Sequence, residues 1–274
     1  MDDNILLNNA VFEPHFYKDK KFPLILHRDR LEQPGLFNLH KNIELLYVEE
    51  GAGQIRIGAK YYKVRAGDMA VVDSYAAHQV IPDEKIVTIC IIPDDSFCKS
   101  NNIKTNKLHF SPVVRSEWLD DRIARLVEEC VAKPRRKFKY ACLKYMILEM
   151  LVYLCRNHSA PRQQPPIEEG TPFERVRLGI EFIKENLDKK ISLEEVAESA
   201  GTSKYYFLRL FKEITGYTVN YYINYLRCEY ARELLESGKY TAREVAEQCG
   251  FDNHSYFTSV FKKYQGVRPS DLLQ

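Results

Sequence analysis

The sequence predicts a multidomain chain of α and β structure. An N-terminal all-β barrel or sandwich with flanking helices is followed by an all-α domain holding two helix-turn-helix units joined by one helix. Three observations predict it. Apolar residues recur at every second position up to about residue 110, and at three- and four-residue steps from about residue 116. The stretch SAPRQQPPIEEGTP puts four prolines into fourteen residues with no apolar periodicity, which is linker composition. Finally, EEVAESAGT at Glu194–Thr202 returns as REVAEQCGF at Arg243–Phe251.

Composition bounds the class. The 274 residues are 45% hydrophobic and 28% charged, ordinary for a soluble globular protein with room for two cores. The first residues, MDDNILLNNA, carry acids where a secretory leader is basic. The most apolar run, Tyr140–Cys155, is broken by Lys144 and Glu149, whereas a bilayer span needs about 20 mainly apolar residues. The expectation is a cytoplasmic protein without a membrane partner. Seven cysteines are scattered with no C-x-x-C pair, which argues against a disulfide framework or a zinc ribbon. Net charge is +2, and residues 173–274 hold 15 basic against 15 acidic side chains. Any nucleic-acid surface there is a local arrangement on a neutral domain.

Residues 1–115 contain IELLYVEEG, QIRIGA, YYKVRAGD, MAVVDS and KIVTICIIP, short runs divided by Gly, Asp and Pro, the pattern of strands in a barrel or sandwich. Residues 116–158 turn helical, with Phe138, Ala141, Tyr145, Leu148 and Val152 forming one apolar stripe on the second helix. One face of that helix can cover the barrel while another meets a second subunit, so this segment is the candidate homodimer element. A linker is expected at 159–172 and a helical domain at 173–274.

Within the last domain, Ser192–Gly201 aligns with Thr241–Gly250, and Tyr206, Phe207, Phe211, Lys212 and Gly216 align with Tyr256, Phe257, Phe261, Lys262 and Gly266. The second copy has one more residue in its turn. Each copy opens on a capping box, Ser192-x-x-Glu195 and Thr241-x-x-Glu244, and continues as short helix, glycine turn and longer helix. These are helix-turn-helix units near 193–214 and 241–264, whose second helices can enter the major groove. A packing hairpin is the plain alternative for one copy; two copies weigh against it. Between them TVNYYINYLRCEYARELLES reads as one helix of about 28 Å, close to the ~34 Å of one DNA turn. The sequence is written twice so that two successive major grooves can be read.

Through SLEEVAESAGTSKYYFLRLFKEITG, the joining helix and GFDNHSYFTSVFKKYQGVRPSDLL, residues 173–274 resemble the AraC/XylS family of bacterial transcription regulators. The resemblance implies a double-stranded DNA partner, with RNA polymerase as a protein partner. On the first recognition helix Phe207, Leu210 and Phe211 face the core, leaving Lys204, Tyr205, Leu208, Arg209 and Lys212 outward. The guanidinium of Arg209 suits bidentate pairing with guanine, and the resemblance supports Tyr205 and Arg209 in the groove. On the second, His254, Ser255, Thr258 and Ser259 are outward while Tyr256, Phe257 and Phe261 read as core. Family members carry a basic residue where Ser259 stands here, which puts strong direct readout by this copy in doubt. Lys262, Lys263 and Arg268 are phosphate candidates, against the plainer reading of a solvated charged face.

The stretches LHKNIELLYVEEG and AGDMAVVDSYAAH resemble the two cupin motifs, through His40-x3-Glu44-x6-Gly51 and Gly67-Asp68 with His78. In cupin enzymes two nearby histidines, a glutamate and a later histidine bind metal; here Asn38 replaces the first. His40, Glu44 and His78 can form a two-histidine, one-carboxylate face. They can equally line an organic pocket or serve as satisfied structural groups. No metal, cofactor or catalytic residue is assigned. The resemblance implies a cupin-like sensor of a small effector, often a carbohydrate; Arg28, His40, Glu44, Tyr47 and His78 are pocket candidates, of which Arg28 and Tyr47 are tied to no motif. Rival readings are a metal-dependent cupin enzyme and a regulator whose barrel is only a dimerisation scaffold. Activator and repressor are not distinguished by these residues.

Overall fold

Alternation in the strands builds two apolar faces from one sheet, and the N-terminal unit is organised around that division. The computed structural model describes residues 24–131, 137–163 and 170–273, so residues 1–23 of the predicted barrel segment and 164–169 of the predicted linker lie outside the described residues. Two compact units result, one built on residues 24–163 and the other on 170–273.

The strands of the first unit are β1 (Leu24–Leu31), β2 (Glu44–Ile57), β3 (Lys60–Arg65), β4 (Asp68–Val72), β5 (His78–Pro93), β6 (Leu108–Phe110), β7 (Val113–Arg115) and β8 (Ser159–Pro161). All pairings are antiparallel, in the order β1-β5-β2-β4-β7 with β3 on β2, and β6 with β8 as a separate pair. Along β2, β4 and β5 successive residues alternate between two clusters. Leu46, Val48, Ala70, Val72, Cys90 and Ile92 fill the interior with Ile55, Val64, Val80 and Ile86. Leu45, Met69, Val71, Ile89 and Ile91 face the opposite way, toward helices.

The helices are α1 (Asp95–Ser100), α2 (Glu117–Val131) and α3 (Lys139–Asn157). Leu119, Ile123, Leu126 and Cys130 of α2, with Leu143, Ile147, Met150, Leu151 and Leu154 of α3, cover the outer sheet face. The stripe read from the sequence on α3 is not the one that covers the sheet: Phe138 is 79% and Tyr145 64% exposed, and of its members Leu148 packs against the covered cluster. The helix is apolar on most of its circumference, so several stripes fit the spacing, and the shape of the sheet selects the one at 143, 147, 151 and 154. A second correction concerns the expected linker. Ser159–Pro161 pairs with Leu108–Phe110 as β8, and the Arg162 guanidinium lies 3.0 Å from Asp73 Oδ2. The chain stays on the first unit for those residues.

The second unit contains α4 (Pro172–Glu185), α5 (Leu193–Ser199), α6 (Lys204–Thr215), α7 (Val219–Glu236), α8 (Ala242–Gln248) and α9 (His254–Gln265). Both expected capping boxes are present: Ser192 and Glu195 start α5, and Thr241 and Glu244 start α8. The carboxylates of Glu195 and Glu244 are held below their usual range by the backbone and hydroxyl groups they accept from. Gly201 and Gly250 take φ of +62° and +71° in the turns, a conformation that disfavours any side chain. Residues 200–203 separate α5 from α6, and 249–253 separate α8 from α9, which is the extra turn residue of the second copy. Phe207, Phe211 and Tyr222 are buried in the first lobe. Phe251, Phe257 and Phe261 centre the second lobe, with Cys228, Ala231 and Leu235 of α7. One helix thus supplies a wall to both lobes.

Candidate functional site

The outward residues of α6 and α9 are set by the same arithmetic as the buried ones. Phe207, Leu210 and Phe211 are buried, which turns Tyr205, Arg209 and Lys212 into solvent, Tyr205 to 85%. Arg209 stands 3.7 Å from Glu213 Oε1, and its guanidinium lies 5.5 Å from the Tyr206 ring centre, a cation–π distance. Lys204 is bonded to Glu194 of α5 at 2.6 Å, and that partner raises its pKa. Its ammonium braces the two helices of the unit and must leave Glu194 to reach a phosphate. Leu208 is half-buried.

On α9, His254, Ser255, Ser259, Lys262 and Lys263 are exposed, Thr258 is half-buried, and Arg268 beyond the helix is exposed. The hydroxyls of Thr258 and Ser259 donate back to the carbonyls of His254 and Ser255, at 3.0 Å each. Their protons are spent within the helix, leaving oxygen acceptors outward. Tyr256, read from the sequence as core, is 53% exposed. The inward positions are Phe257 and Phe261, four apart, and the residue before Phe257 is turned about 100° from them. Its hydroxyl accepts from Asn224 Nδ2 of α7 at 3.2 Å. Tyr206, the matching residue of the first copy, is also exposed.

In the first unit, His40, Glu44 and His78 come together as their motif spacing predicts. His40 Nε2 is 2.7 Å from Glu44 Oε2, and His78 Nε2 is 2.9 Å from the same oxygen. Cys90 Sγ donates to Glu44 Oε1 at 3.1 Å. Burial pushes the Glu44 carboxyl upward, yet the charge on His78 and the hydrogen bond from His40 outweigh it and hold the group well below the carboxylate range. The Nδ1 atoms of both rings face carbonyl oxygens, of Asn42 and Ala76, each at 3.1 Å. A carbonyl only accepts, so each Nδ1 carries a proton, and the Nε2 atom of a neutral ring then presents a lone pair. With both rings neutral, two ring nitrogens and a carboxylate oxygen converge as three acceptors; with the rings protonated, their Nε2–H groups donate to Glu44. Positive charge must lie among them, either as protons on the rings or as a bound cation.

The residues fit a divalent cation. Their donor atoms lie within 4.8 Å of one another, and imidazole with carboxylate suits Fe, Mn or Zn. His40, Glu44 and His78 would hold it, and it would supply the charge that the three acceptors need. Asn38 meets His78 through the backbone, with N–H···O bonds of 2.8 and 2.9 Å exchanged between the two residues. The other two pocket candidates are elsewhere. Tyr47 points from the opposite face of β2 and donates to Asp120 Oδ1 of α2 at 2.9 Å, and burial with that bond pushes its phenol up to about 12. Arg28 is in register with Ile89 of the outer cluster and pairs with Glu49 at 2.6 Å. Side-chain alternation separates both from the histidine cluster.

Among the described residues no helix is long and apolar enough to cross a membrane. The seven cysteines are free thiols.

Comparison with known proteins agrees with both halves. Residues 196–274 match a helix-turn-helix domain family and residues 32–92 a cupin domain family. The MmsAB operon regulatory protein of Pseudomonas aeruginosa is 34% identical over 239 residues, covering 86% of this chain and 76% of that protein. The transcriptional activator RhaS of Mannheimia succiniciproducens is 23% identical over 265 residues, covering 94% and 96%. An apo form of ToxT from Vibrio cholerae superposes with a TM-score of 0.56 at 15% identity, covering 92% of this chain and 97% of ToxT. An unsaturated fatty acid-bound ToxT superposes at 0.50, also at 15% identity, covering 91% and 94%. The chain belongs to the AraC family of DNA-binding transcription regulators, with a cupin domain ahead of its helix-turn-helix domain.

Proposed function

We propose that each chain reads two successive major grooves, with α6 in one and α9 in the next, and that a small molecule held by the first unit changes the affinity for DNA. The observation that carries the reading is the duplication. Two capped helix-turn-helix units share one continuous joining helix, whose 18 residues rise about 27 Å. Tyr205, Arg209 and Lys212 are the groove residues of α6, with Arg209 as the base reader and Lys204 released from Glu194 on binding. His254, Ser255, Thr258 and Ser259 are those of α9, and Lys262, Lys263 and Arg268 contact phosphates. The domains are 1–115, 116–158 and 173–274, with the linker shortened to begin after Arg162. The protein works in the cytoplasm, and RNA polymerase is its further partner. It is not an enzyme in this reading.

The effector site is the end of the barrel at His40, Glu44 and His78, where charged groups border the apolar interior. A carbohydrate is the proposed class, since its hydroxyls can donate to the ring nitrogens and carboxylate oxygen there; the unsaturated fatty acid bound by ToxT sets the rival class. An effector acts only through different affinities for arrangements that differ in DNA contact. A coupling of about 1–3 kcal/mol corresponds to a 5- to 150-fold change. The chain works as a homodimer through the outer face of α3, where Phe138 at the start of the helix and Tyr145, seven residues on, are exposed.

The test is selection of bound sequences from random duplex DNA with the full chain at fixed salt. Enrichment of two short motifs about one helical turn apart is expected; recovery of unenriched sequence would overturn the reading. Calorimetry against sugars and against an unsaturated fatty acid separates the effector classes, and heat from neither would leave the barrel as a scaffold.

A further inference from the structure

The helix that joins the two reading units also presents a surface of its own. Asn224 of α7 donates to the hydroxyl of Tyr256 on α9. Asn220, one turn earlier on the same face, lines a surface cleft of about 410 Å³ with Thr218 and with Arg209 and Lys212 of α6. One polar face of α7 therefore touches both recognition helices. From Thr218 to Cys228, eleven residues, the chain carries no Asp or Glu.

We propose that this face of α7, with Tyr256, is a third DNA-contact element that holds the sugar–phosphate backbone between the two grooves. The inference rests on the two-groove reading above. If α6 and α9 occupy successive major grooves, the backbone walls between them pass the helix that connects α6 to α9. Tyr256 sits about 100° around α9 from Ser255, on the flank toward α7, where a groove wall runs. Its hydroxyl oxygen accepts from Asn224, so its own proton remains to donate to a phosphate oxygen. Asn220, exposed beside Arg209 and Lys212, offers an amide donor at the other end. Neutral donors position a duplex without reading sequence, and the absence of carboxylates leaves nothing on this face to repel phosphate.

The experiment measures binding of the full chain to the selected duplex and to a scrambled one over a range of salt. Tyr256→Phe is expected to weaken both by about 3- to 10-fold, the size of one hydrogen bond. Base preference and the salt slope stay unchanged, because a neutral donor releases no counterion. Asn224→Ala should weaken binding less and add nothing in the Tyr256→Phe background, since it acts through that hydroxyl. Asn220→Asp should weaken both duplexes tenfold or more while thermal unfolding is unchanged, because a carboxylate in the first turn of α7 suits the helix. Wild-type affinities for Tyr256→Phe and Asn220→Asp would overturn the inference and leave the two-groove reading standing. A changed base preference for Tyr256→Phe would also overturn it, by making the tyrosine a base reader. Wild-type protein that does not distinguish the selected duplex would overturn the reading beneath it.

Discussion

The Nε2 atom of His78 lies 2.9 Å from Glu44 Oε2, with the two residues 1% and 5% exposed. Removing one partner of such a buried pair strands the other. Glu44→Ala is expected to destabilise the first unit by about 3–5 kcal/mol. The only tryptophan, Trp118, stacks on Tyr153 with ring centres 4.4 Å apart in that unit, so its fluorescence follows the relevant transition in urea. The folded carboxyl titrates below its unfolded value, so its contribution is complete above about pH 4.3 and fades as pH falls through the lower folded value. Urea midpoints taken from pH 7 to pH 3 should show that loss in the wild type, and a flatter profile in Glu44→Gln.

Tyr47 and Asp120 make a different kind of bond, a strap from β2 to α2 across the outer face. Tyr47→Phe should lower the stability of the first unit by about 1 kcal/mol and leave effector affinity as it was. Calorimetry with whichever ligand the screen finds checks the second half. A tenfold loss of affinity would return Tyr47 to the ligand site.

What the sequence revealed depends on how local each cause is. The capping boxes were legible because Ser192 with Glu195, and Thr241 with Glu244, act within one turn. The histidine cluster was legible from motif spacing. Its separation from Tyr47 was legible too, since residues 44 and 47 of one strand point to opposite faces, but grouping the pocket candidates by residue type hides that alternation. The buried stripe of α3 was not legible, because which apolar face is covered depends on the shape of a distant sheet. Three residues ending in a proline gave no strand signal at β8, whose partner is about fifty residues away. Tyr256 follows the side of α9 on which α7 lies, a tertiary fact.

Gly179 in α4 shows how tightly the first reading unit is assembled. A Cβ at this position would overlap the ring of Phe207, which is fully buried on α6. Gly→Ala inside a helix ordinarily stabilises by about 1 kcal/mol. Here the sign should reverse, with Gly179→Ala costing about 1–3 kcal/mol through forced repacking. Helical circular dichroism during thermal unfolding reads it, and an unchanged or raised midpoint would show that Phe207 moves aside freely.

Arg209 and Lys262 separate reading from holding. A bidentate guanidinium contact discriminates bases by about 1–3 kcal/mol, so Arg209→Ala should lose preference at particular base pairs in the selected motif. Lys262→Ala should weaken all sequences alike and lower the salt slope by about 1. Repeating the selection with each variant gives the answer, and an Arg209→Ala motif identical to wild type would remove the assignment.

The proposed homodimer rests on the outer face of α3. Phe138 and Tyr145, seven residues apart, stand exposed on the side of α3 away from the sheet, and tyrosine is enriched among the few residues that carry most of the energy where subunits meet. A charge at the centre of such a contact must be desolvated without a partner. Tyr145→Glu should therefore shift the chain from dimer to monomer at micromolar concentration in sedimentation, while Trp118 fluorescence and the unfolding midpoint stay near wild type because the side chain is already in water. Binding to a single half-site should survive in the variant, whereas the added affinity for a paired site should disappear. A wild-type chain that sediments as a monomer both with and without DNA would remove the dimer.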